Sequence, residues 1–260
     1  MFTWIYKSAG LVLALGLLAF AVSEEVLNRY LLAQPWLALA CVAMAVLLLY
    51  LPALRGVRRM LYGLAFDSPR RRFNFVLFLA GATIYAGACW LIFDGLPRLD
   101  DEVSALFQGR ILAGGRVVLP APQPHDFFRT FGTVDGVRGY EHLCSMYPPG
   151  HPALLALGLL LGVPWLVNPL LGGGLVVLTA ELGRQLYGRR TGRLAGLLAL
   201  LSPSFLLMSA SHLSHIPTAF FCTLCMWSVV RLLRTRSWRV GALAGFAMGM
   251  AFLSRPLTAL

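Results

Sequence analysis

Charged residues are scarce in this chain, and acidic residues are the scarcest of them. Only 13% of the 260 residues are charged, 11 acidic against 22 basic, whereas 58% are hydrophobic. Soluble domains carry about 25% charged residues. This composition, with a mean hydropathy of +0.73, therefore excludes an ordinary soluble domain and indicates a membrane protein. Basic cytoplasmic loops explain the net charge of +11, so we expect no nucleic-acid partner.

The chain also lacks the patterns of a disulfide framework, a metal centre or a nucleotide site. The CxxC spacing of Cys222 and Cys225 lies in an apolar run without a second ligand pair, which favours small buried side chains over zinc. His212 and His215 can share a helix face, but no acidic residue lies near them in sequence, which favours a cavity lining over a metal site. No GxGxxG or P-loop pattern follows a strand. We therefore expect no metal and no cofactor.

Long apolar runs, in contrast, are frequent. A membrane helix needs roughly 20 mostly apolar residues, and the runs that fit are 4–22, 31–54, 74–93, 163–182, 194–210, 216–233 and 240–258. The first also resembles a signal peptide ending at Ala19-Phe20-Ala21, although we favour an uncleaved anchor. The predicted fold class is an all-α integral membrane protein, a polytopic helix bundle of about seven spans. It divides into a two-helix membrane region at 1–73 and a second membrane region at 74–260.

The charges fix the orientation of these spans. Arginines cluster at 55–72, 184–193 and 231–239, in loops that alternate so that all three lie on the cytoplasmic side. Nearly all of the acidic residues lie in the intervening loops. The segment 94–150 is therefore predicted to be extracytoplasmic. As the only sizeable polar stretch of the sequence, it is the place where chemistry is expected.

Two short helices are predicted in and beside this outer loop. The first runs from Asp100 to Ala113, ends at Gly114-Gly115 and is expected to lie flat on the membrane. Its water face would carry Asp100, Asp101, Ser104 and Gln108, and its membrane face Val103, Leu106, Phe107 and Ile111. The second, at 151–161, is too short to span, and the prolines around it favour a re-entrant or surface helix. Glycines at 172–174, and at every fourth position from Gly241 to Gly249, predict closely packed helices.

The acidic run Asp100-Asp101-Glu102 is the main candidate for catalysis. A carboxylate beside like charges at a lipid–water boundary is a better base than a solvated one. Transfer of a sugar from a phosphate carrier is a reaction that needs such a base, to take the acceptor's proton. The alternative is a solvated helix start, where acidic side chains interact favourably with the helix dipole.

Candidate binding residues lie in three further segments. His151, in the rigid turn Tyr147–Pro152, can hydrogen-bond a phosphate or a sugar, although a simple helix breaker also explains the turn. His215 lies at the outer end of a predicted span. Arg255 lies in an apolar run, where an arginine is costly unless it snorkels to the surface or meets an anion such as a lipid phosphate.

These segments together resemble the GT-C glycosyltransferases. Leu99–Gly115 is similar to the aspartate-glutamate motif and following helix of that superfamily, and Tyr147–Leu155 is similar to its second loop motif. Ser214–Phe221 and Phe252–Pro256 resemble later stretches. The group they resemble most comprises bacterial relatives of the dolichyl-phosphate-mannose protein mannosyltransferases and of the lipid A aminoarabinose transferase, a family-39-like branch.

The resemblance implies an inverting transfer from a polyprenyl-phosphate sugar to a lipid, protein or polysaccharide acceptor. It places the active site on the periplasmic face of the bacterial inner membrane and makes 74–260 the catalytic region. By the same resemblance Asp101 is the general base, and Glu102 supports it or orients the substrate. The expected substrate-binding residues are Asp100, Arg110, Tyr147, His151, His215 and Arg255. Where the aminoarabinose branch has a lysine before the paired prolines this chain has Tyr147, so Arg255 would take over the phosphate contact.

Two other functions remain open at this stage. A lipid flippase or transporter needs ionisable residues near mid-bilayer, and the predicted spans have almost none. A non-catalytic scaffold or truncated paralogue is the second alternative. The end of the sequence soon after the Arg255-Pro256 motif supports this alternative, because family members usually continue through several more helices. We therefore expect the chain to be an N-terminal part.

Overall fold

The computed structural model describes residues 62–120, 133–135 and 142–256, together with the isolated positions Leu39 and Gly56. The chain divides into two units, Met1–Leu61 and Tyr62–Leu260. Everything described below lies in the second unit. The spans predicted at 4–22 and 31–54 fall outside the described residues.

The second unit is built of helices around membrane-length spans. Its helices are α1 Arg70–Phe93, α2 Asp100–Ala113, α3 Gly150–Leu160, α4 Val167–Tyr187, α5 Arg189–Leu201, α6 Pro203–Ala210, α7 His215–Thr235 and α8 Trp238–Ser254, with a π-helical turn at Gly63–Asp67 and a 3₁₀ turn at Pro164–Leu166. Among the described residues three helices are long and apolar enough to cross a membrane: α1, α4 with its 3₁₀ turn, and α7. They confirm the spans predicted at 74–93, 163–182 and 216–233.

Two other predicted spans have a different form. The run at 194–210 is not one straight helix, because α5 and α6 meet at Ser202-Pro203 with a bend of 59°. Proline cannot donate the backbone hydrogen bond that would continue α5, and its ring disfavours a helical residue before it. The run at 240–258 forms α8, which has 17 residues and is shorter than the other spans.

The outer segment contains both predicted short helices, α2 and α3, and also a small sheet that the sequence did not indicate. The strands are β1 Leu119–Pro120, β2 Thr133–Asp135 and β3 His142–Ser145, paired antiparallel in the order β1-β3-β2. Leu119 faces Leu143, and Val134 faces Cys144. Strands of two to four residues are too short for a periodic pattern to appear in the sequence.

The predicted faces of α2 are partly wrong. Ser104 and Gln108, expected toward water, are buried, whereas Val103, expected toward the membrane, is half exposed. The sheet is the reason. The hydroxyls of Ser104 and Ser145 hydrogen-bond at 2.7 Å, and Gln108 donates to Val117 O and accepts from Ser145 N, each at 2.9 Å. Polar residues on this face of α2 therefore fix the helix to the sheet.

Small residues set how closely the spans approach one another. A Cβ at Gly173 on α4 would lie 2.9 Å from the carbonyl oxygen of Phe78 and 3.0 Å from the amide nitrogen of Ala82 on α1. The prediction of close packing is therefore confirmed for 172–174. It is not confirmed for the α8 repeat, because a Cβ at Gly245 or Gly249 would meet no described atom within 4 Å and one at Gly241 would meet only Leu232, at 3.8 Å.

Arginines are concentrated at one end of the spans, and most of the described acidic residues lie at the other. Glu181, near the end of α4, is buried and accepts hydrogen bonds from Arg70 at the start of α1 and from Arg184. At the same end Arg234 donates to Gln185 O at 2.6 Å. The acidic start of α2 and the beginning of α3 lie at the other end. The chain is thus a multi-pass membrane protein whose basic loops share one side.

Candidate functional site

A cavity of about 190 Å³ lies at the acidic end of the spans. Four separate segments contribute to it: the start of α2, the turn before α3, the start of α7 and the end of α8. The polar and charged residues that line it are Asp101, Tyr147, His151, Ser214, His215, Ser254 and Arg255. Five of the residues expected from the sequence therefore meet in one place, namely Asp101, Tyr147, His151, His215 and Arg255.

Asp101 is held at the cavity by a tyrosine from the second segment. The phenol of Tyr147 donates a hydrogen bond of 2.5 Å to Asp101 Oδ1. That bond, with some burial, raises the pKa of Tyr147 to about 12. Tyr147 is itself fixed by the sheet, since its backbone N–H donates to the hydroxyl of Ser145 at 3.1 Å. The carboxylate thus lies on a helix start and its partner on the strand end that packs against that helix.

Glu102 does not line the cavity but fixes the helix start that presents Asp101. It is fully buried, and its Oε2 accepts hydrogen bonds from the backbone N–H of Arg98 at 2.6 Å and of Leu99 at 3.4 Å. This is the carboxylate half of a capping box, in which the N3 side chain satisfies an amide before the helix. Burial raises the pKa of Glu102, and backbone hydrogen bonds from Arg98, Leu99 and His212 oppose that rise.

Two buried polar residues, His151 and Asn168, lie at and beside the cavity. His151 is 1% exposed, and burial lowers its pKa to about 3, so its imidazole is neutral at physiological pH. The side chain of Asn168 lies close enough to oppose that lowering. Asn168 donates to the carbonyl oxygens of Ser211 at 2.7 Å and Leu213 at 2.8 Å. These bonds anchor the loop that leads into α7.

Arg255 and His215 enter the cavity from the ends of two spans. Arg255 is the extended residue that follows α8, with φ −152°. The chain there is pressed against Gly150, the first residue of α3, whose Cβ would lie 2.7 Å from the carbonyl carbon of Leu253. His215 begins α7, close enough to Arg255 and Asp101 for both charges to act on it. Cation, carboxylate and imidazole thus share one small space.

The remaining predicted residues lie outside the lining. Asp100 is exposed beside the cavity, near enough for its charge to act on Tyr147. Arg110 lies in the last turn of α2 and is exposed. His212 is buried behind the cavity. Within the described part of the chain no group of three or more His, Cys, Asp or Glu is arranged to hold a metal ion.

Sequence reasoning missed Asn168 and Ser254. Asn168 is buried, and its only signal is a single amide at the start of a long apolar run. Ser254 lines the cavity while its hydroxyl donates to Met250 O at 2.8 Å. A serine bonded to its own helix in this way gives no sequence signal of a site.

One of three comparisons with known proteins found a match. Residues 147–260 match the family model described as dolichyl-phosphate-mannose-protein mannosyltransferase. This match over the C-terminal part of the sequence supports a relationship to the GT-C-like glycosyltransferases. No curated protein and no solved structure matches the chain.

The matched segment of this glycosyltransferase relative holds most, but not all, of the cavity. It contains Tyr147, His151, His215 and Arg255, whereas Asp101 precedes it. The association of Asp101 with the other four residues therefore rests on the structure, above all on its hydrogen bond with Tyr147.

Proposed function

We propose that this glycosyltransferase relative transfers a sugar from a polyprenyl-phosphate donor to an acceptor, with inversion. The observation that carries the proposal is the cavity itself, in which the carboxylate of Asp101 and the guanidinium of Arg255 line one small space at the acidic end of the spans. The proposed reaction requires both groups: a base that takes the proton of the acceptor and a cation that stabilises the leaving phosphate.

The proposed reaction is a single displacement. The acceptor's hydroxyl oxygen attacks the anomeric carbon from the face opposite the phosphate, and Oδ2 of Asp101 takes the hydroxyl proton as the new bond forms. The bond between the anomeric carbon and the phosphate oxygen breaks, and its electron pair leaves with the lipid phosphate. Arg255 stabilises that phosphate through paired N–H donors. One attack from the opposite face inverts the anomeric centre.

Tyr147 and His151 prepare the groups that react. The phenol of Tyr147 engages Oδ1 of Asp101 and so orients the carboxylate, leaving Oδ2 as the base. His151 is neutral and can therefore both donate and accept a hydrogen bond, as a sugar hydroxyl requires. Glu102 acts indirectly, because it fixes the start of the helix that carries Asp101.

The cavity is suited to the reacting part of the donor. Pockets that enclose a whole small ligand measure roughly 300–1,000 Å³, and this one measures about 190 Å³. We assign it to the sugar and the phosphate and place the isoprenoid chain along the membrane-facing surface of the spans. The basic loops at the opposite end support a position of the cavity on the extracytoplasmic face by the positive-inside rule, which in a bacterium would be the periplasmic face of the inner membrane.

The direct test is transfer from labelled donors. Membranes containing the protein, and matched membranes lacking it, are incubated with radiolabelled polyprenyl-phosphate sugars, and lipid, protein and polysaccharide fractions are counted. Label that enters one fraction only when the protein is present supports the proposal and identifies the acceptor class. Donors that stay intact across a panel of sugars would overturn it.

A further inference from the structure

A second cavity lies at the other end of the spans, and four arginines are among its lining residues. It has a volume of about 440 Å³ and lies between the start of α1, the end of α4 and the start of α5. Its charged lining residues are Arg70, Arg184, Arg189, Arg193 and Glu181. Four guanidinium groups against one carboxylate give this small space a clear excess of positive charge.

The one acidic lining residue is already fully engaged. Arg70 holds both oxygens of Glu181 through Nε and Nη2 at 2.7 Å, Arg184 donates at 2.9 Å, and Asn74 donates at 2.6 Å. Asp67 is exposed and lies near Arg193. Even with Asp67 counted, positive charges outnumber negative ones around the cavity.

Arg189 and Arg193 are held in place by the turn before α1. Arg189 Nη2 donates to Phe66 O at 3.0 Å and to Ser68 O at 2.9 Å, and Arg193 Nη2 donates to Ser68 O at 2.5 Å. The guanidinium of Arg193 also stacks over the ring of Phe73 at 4.7 Å. These contacts fix both groups. A guanidinium has five N–H donors, and the two bonds of Arg189 use only Nη2, so its other nitrogens can donate to a ligand.

The start of α5 adds a second kind of attraction for anions. Gly188 lines the cavity with φ +91°, and a Cβ there would meet no described atom within 4 Å, so the space beside it is open. The helix begins at the next residue, Arg189. The first amides of a helix have no partner within the helix, and their aligned dipoles favour an anion such as phosphate.

We propose that this cavity binds the phosphate group of an anionic phospholipid headgroup from the cytoplasmic leaflet. The arginine fork matches phosphate geometry, and basic pockets at the cytoplasmic ends of membrane helices face a leaflet that carries anionic lipids. The site lies at the opposite end of the spans from Asp101. It is independent of the transfer reaction, and its test does not depend on that reaction.

The test measures lipid binding to the full chain in an uncharged detergent. The probes are short-chain phosphatidylglycerol, short-chain phosphatidylcholine and inorganic phosphate, and the readouts are the dissociation constant and the thermal unfolding midpoint. The variant is Arg189→Gln. Its matched control is Arg190→Gln, which removes the same charge from the next position of α5, where the exposed side chain does not line the cavity. Arg189→Lys, which keeps the charge but loses the fork, replaces the first variant if that variant does not fold.

Phosphatidylglycerol is expected to bind and to raise the unfolding midpoint. Arg189→Gln should weaken its binding about tenfold, the loss of one charge-assisted hydrogen bond, while Arg190→Gln leaves binding nearly unchanged. Equal losses in both variants, or equal binding of phosphatidylcholine, would overturn the proposal by showing diffuse attraction. If inorganic phosphate binds as tightly as the lipid and shows the same Arg189 dependence, the lipid is overturned as the source of the phosphate.

Discussion

Replacing Gly150 by alanine tests whether the second and fourth segments of the cavity depend on each other. Gly150 begins α3, and the added Cβ would lie 2.7 Å from the carbonyl carbon of Leu253, 2.8 Å from its oxygen and 2.9 Å from its Cβ. Two of these three atoms are backbone, so a side-chain rotation does not relieve the clash. The end of α8 must move by about 0.7 Å for the closest contact to reach 3.4 Å.

This displacement is passed on to Arg255, two residues further along the chain. Forced overpacking costs about 1–3 kcal/mol, so Gly150→Ala should unfold at a lower temperature in detergent. A misplacement of about 1 Å can reduce an enzyme's rate about 100-fold, and a shift of 0.7 Å therefore predicts a loss of transfer between tenfold and 100-fold. Donor consumption and the unfolding midpoint are measured on the same membranes and the same purified protein.

The matched control is Gly249→Ala on α8. A Cβ at Gly249 meets no described atom within 4 Å, so this change should leave both the midpoint and the rate close to wild type, or stabilise the helix slightly. Identical behaviour of the two variants, either both neutral or both damaged, would refute the reasoning that Gly150 sets the position of Arg255.

Three further outcomes follow from the described contacts. Tyr147→Phe removes the hydrogen bond to Asp101 and should slow transfer while leaving the unfolding midpoint nearly unchanged; a wild-type rate would contradict the orienting role. His151 has a pKa of about 3 in the folded state against 6.5 unperturbed. Its contribution to stability is therefore full above pH 6.5 and is lost as the pH falls toward 3. The unfolding midpoint of His151→Gln should decline less on acidification than that of wild type. Glu181→Ala leaves Arg70 without its partner and should destabilise the fold by about 1–3 kcal/mol, below the range for fully buried pairs because Arg70 is half exposed; an unchanged unfolding midpoint would contradict this.

The parts of the fold that follow a strong periodic or compositional signal were predictable. The apolar runs gave α1, α4 and α7, and the glycine pair at 114–115 gave the end of α2. The bend between α5 and α6 follows from Pro203, a signal that was present but outweighed by the apolar run around it. The small sheet was not predictable, because its two to four residue strands are stabilised by α2 and not by their own pattern.

The candidate site was also predictable only in part. The sequence indicated Asp101, Tyr147, His151, His215 and Arg255 as separate chemical groups, and only the fold brings them to one cavity. The residues alone do not separate Asp101 from Glu102, which are adjacent acids in sequence, and only the family resemblance made Asp101 the expected base. The backbone amides of the preceding loop make the difference, since they draw Glu102 inward and leave Asp101 at the surface.

The central claim is that Asp101 is the base of a sugar transfer, and the rate of the Asp101→Asn variant measures it most directly. Asparagine keeps the shape of the side chain and can still bond to Tyr147, but it cannot take a proton. The control is Asp94→Asn, which neutralises an exposed carboxylate at the same end of the spans, outside the cavity. With a labelled polyprenyl-phosphate sugar, we expect Asp101→Asn to lower the transfer rate about 100- to 10,000-fold, with wild-type expression and unfolding midpoint, while Asp94→Asn retains most of the rate. An Asp101→Asn protein that transfers sugar at the wild-type rate would contradict the account.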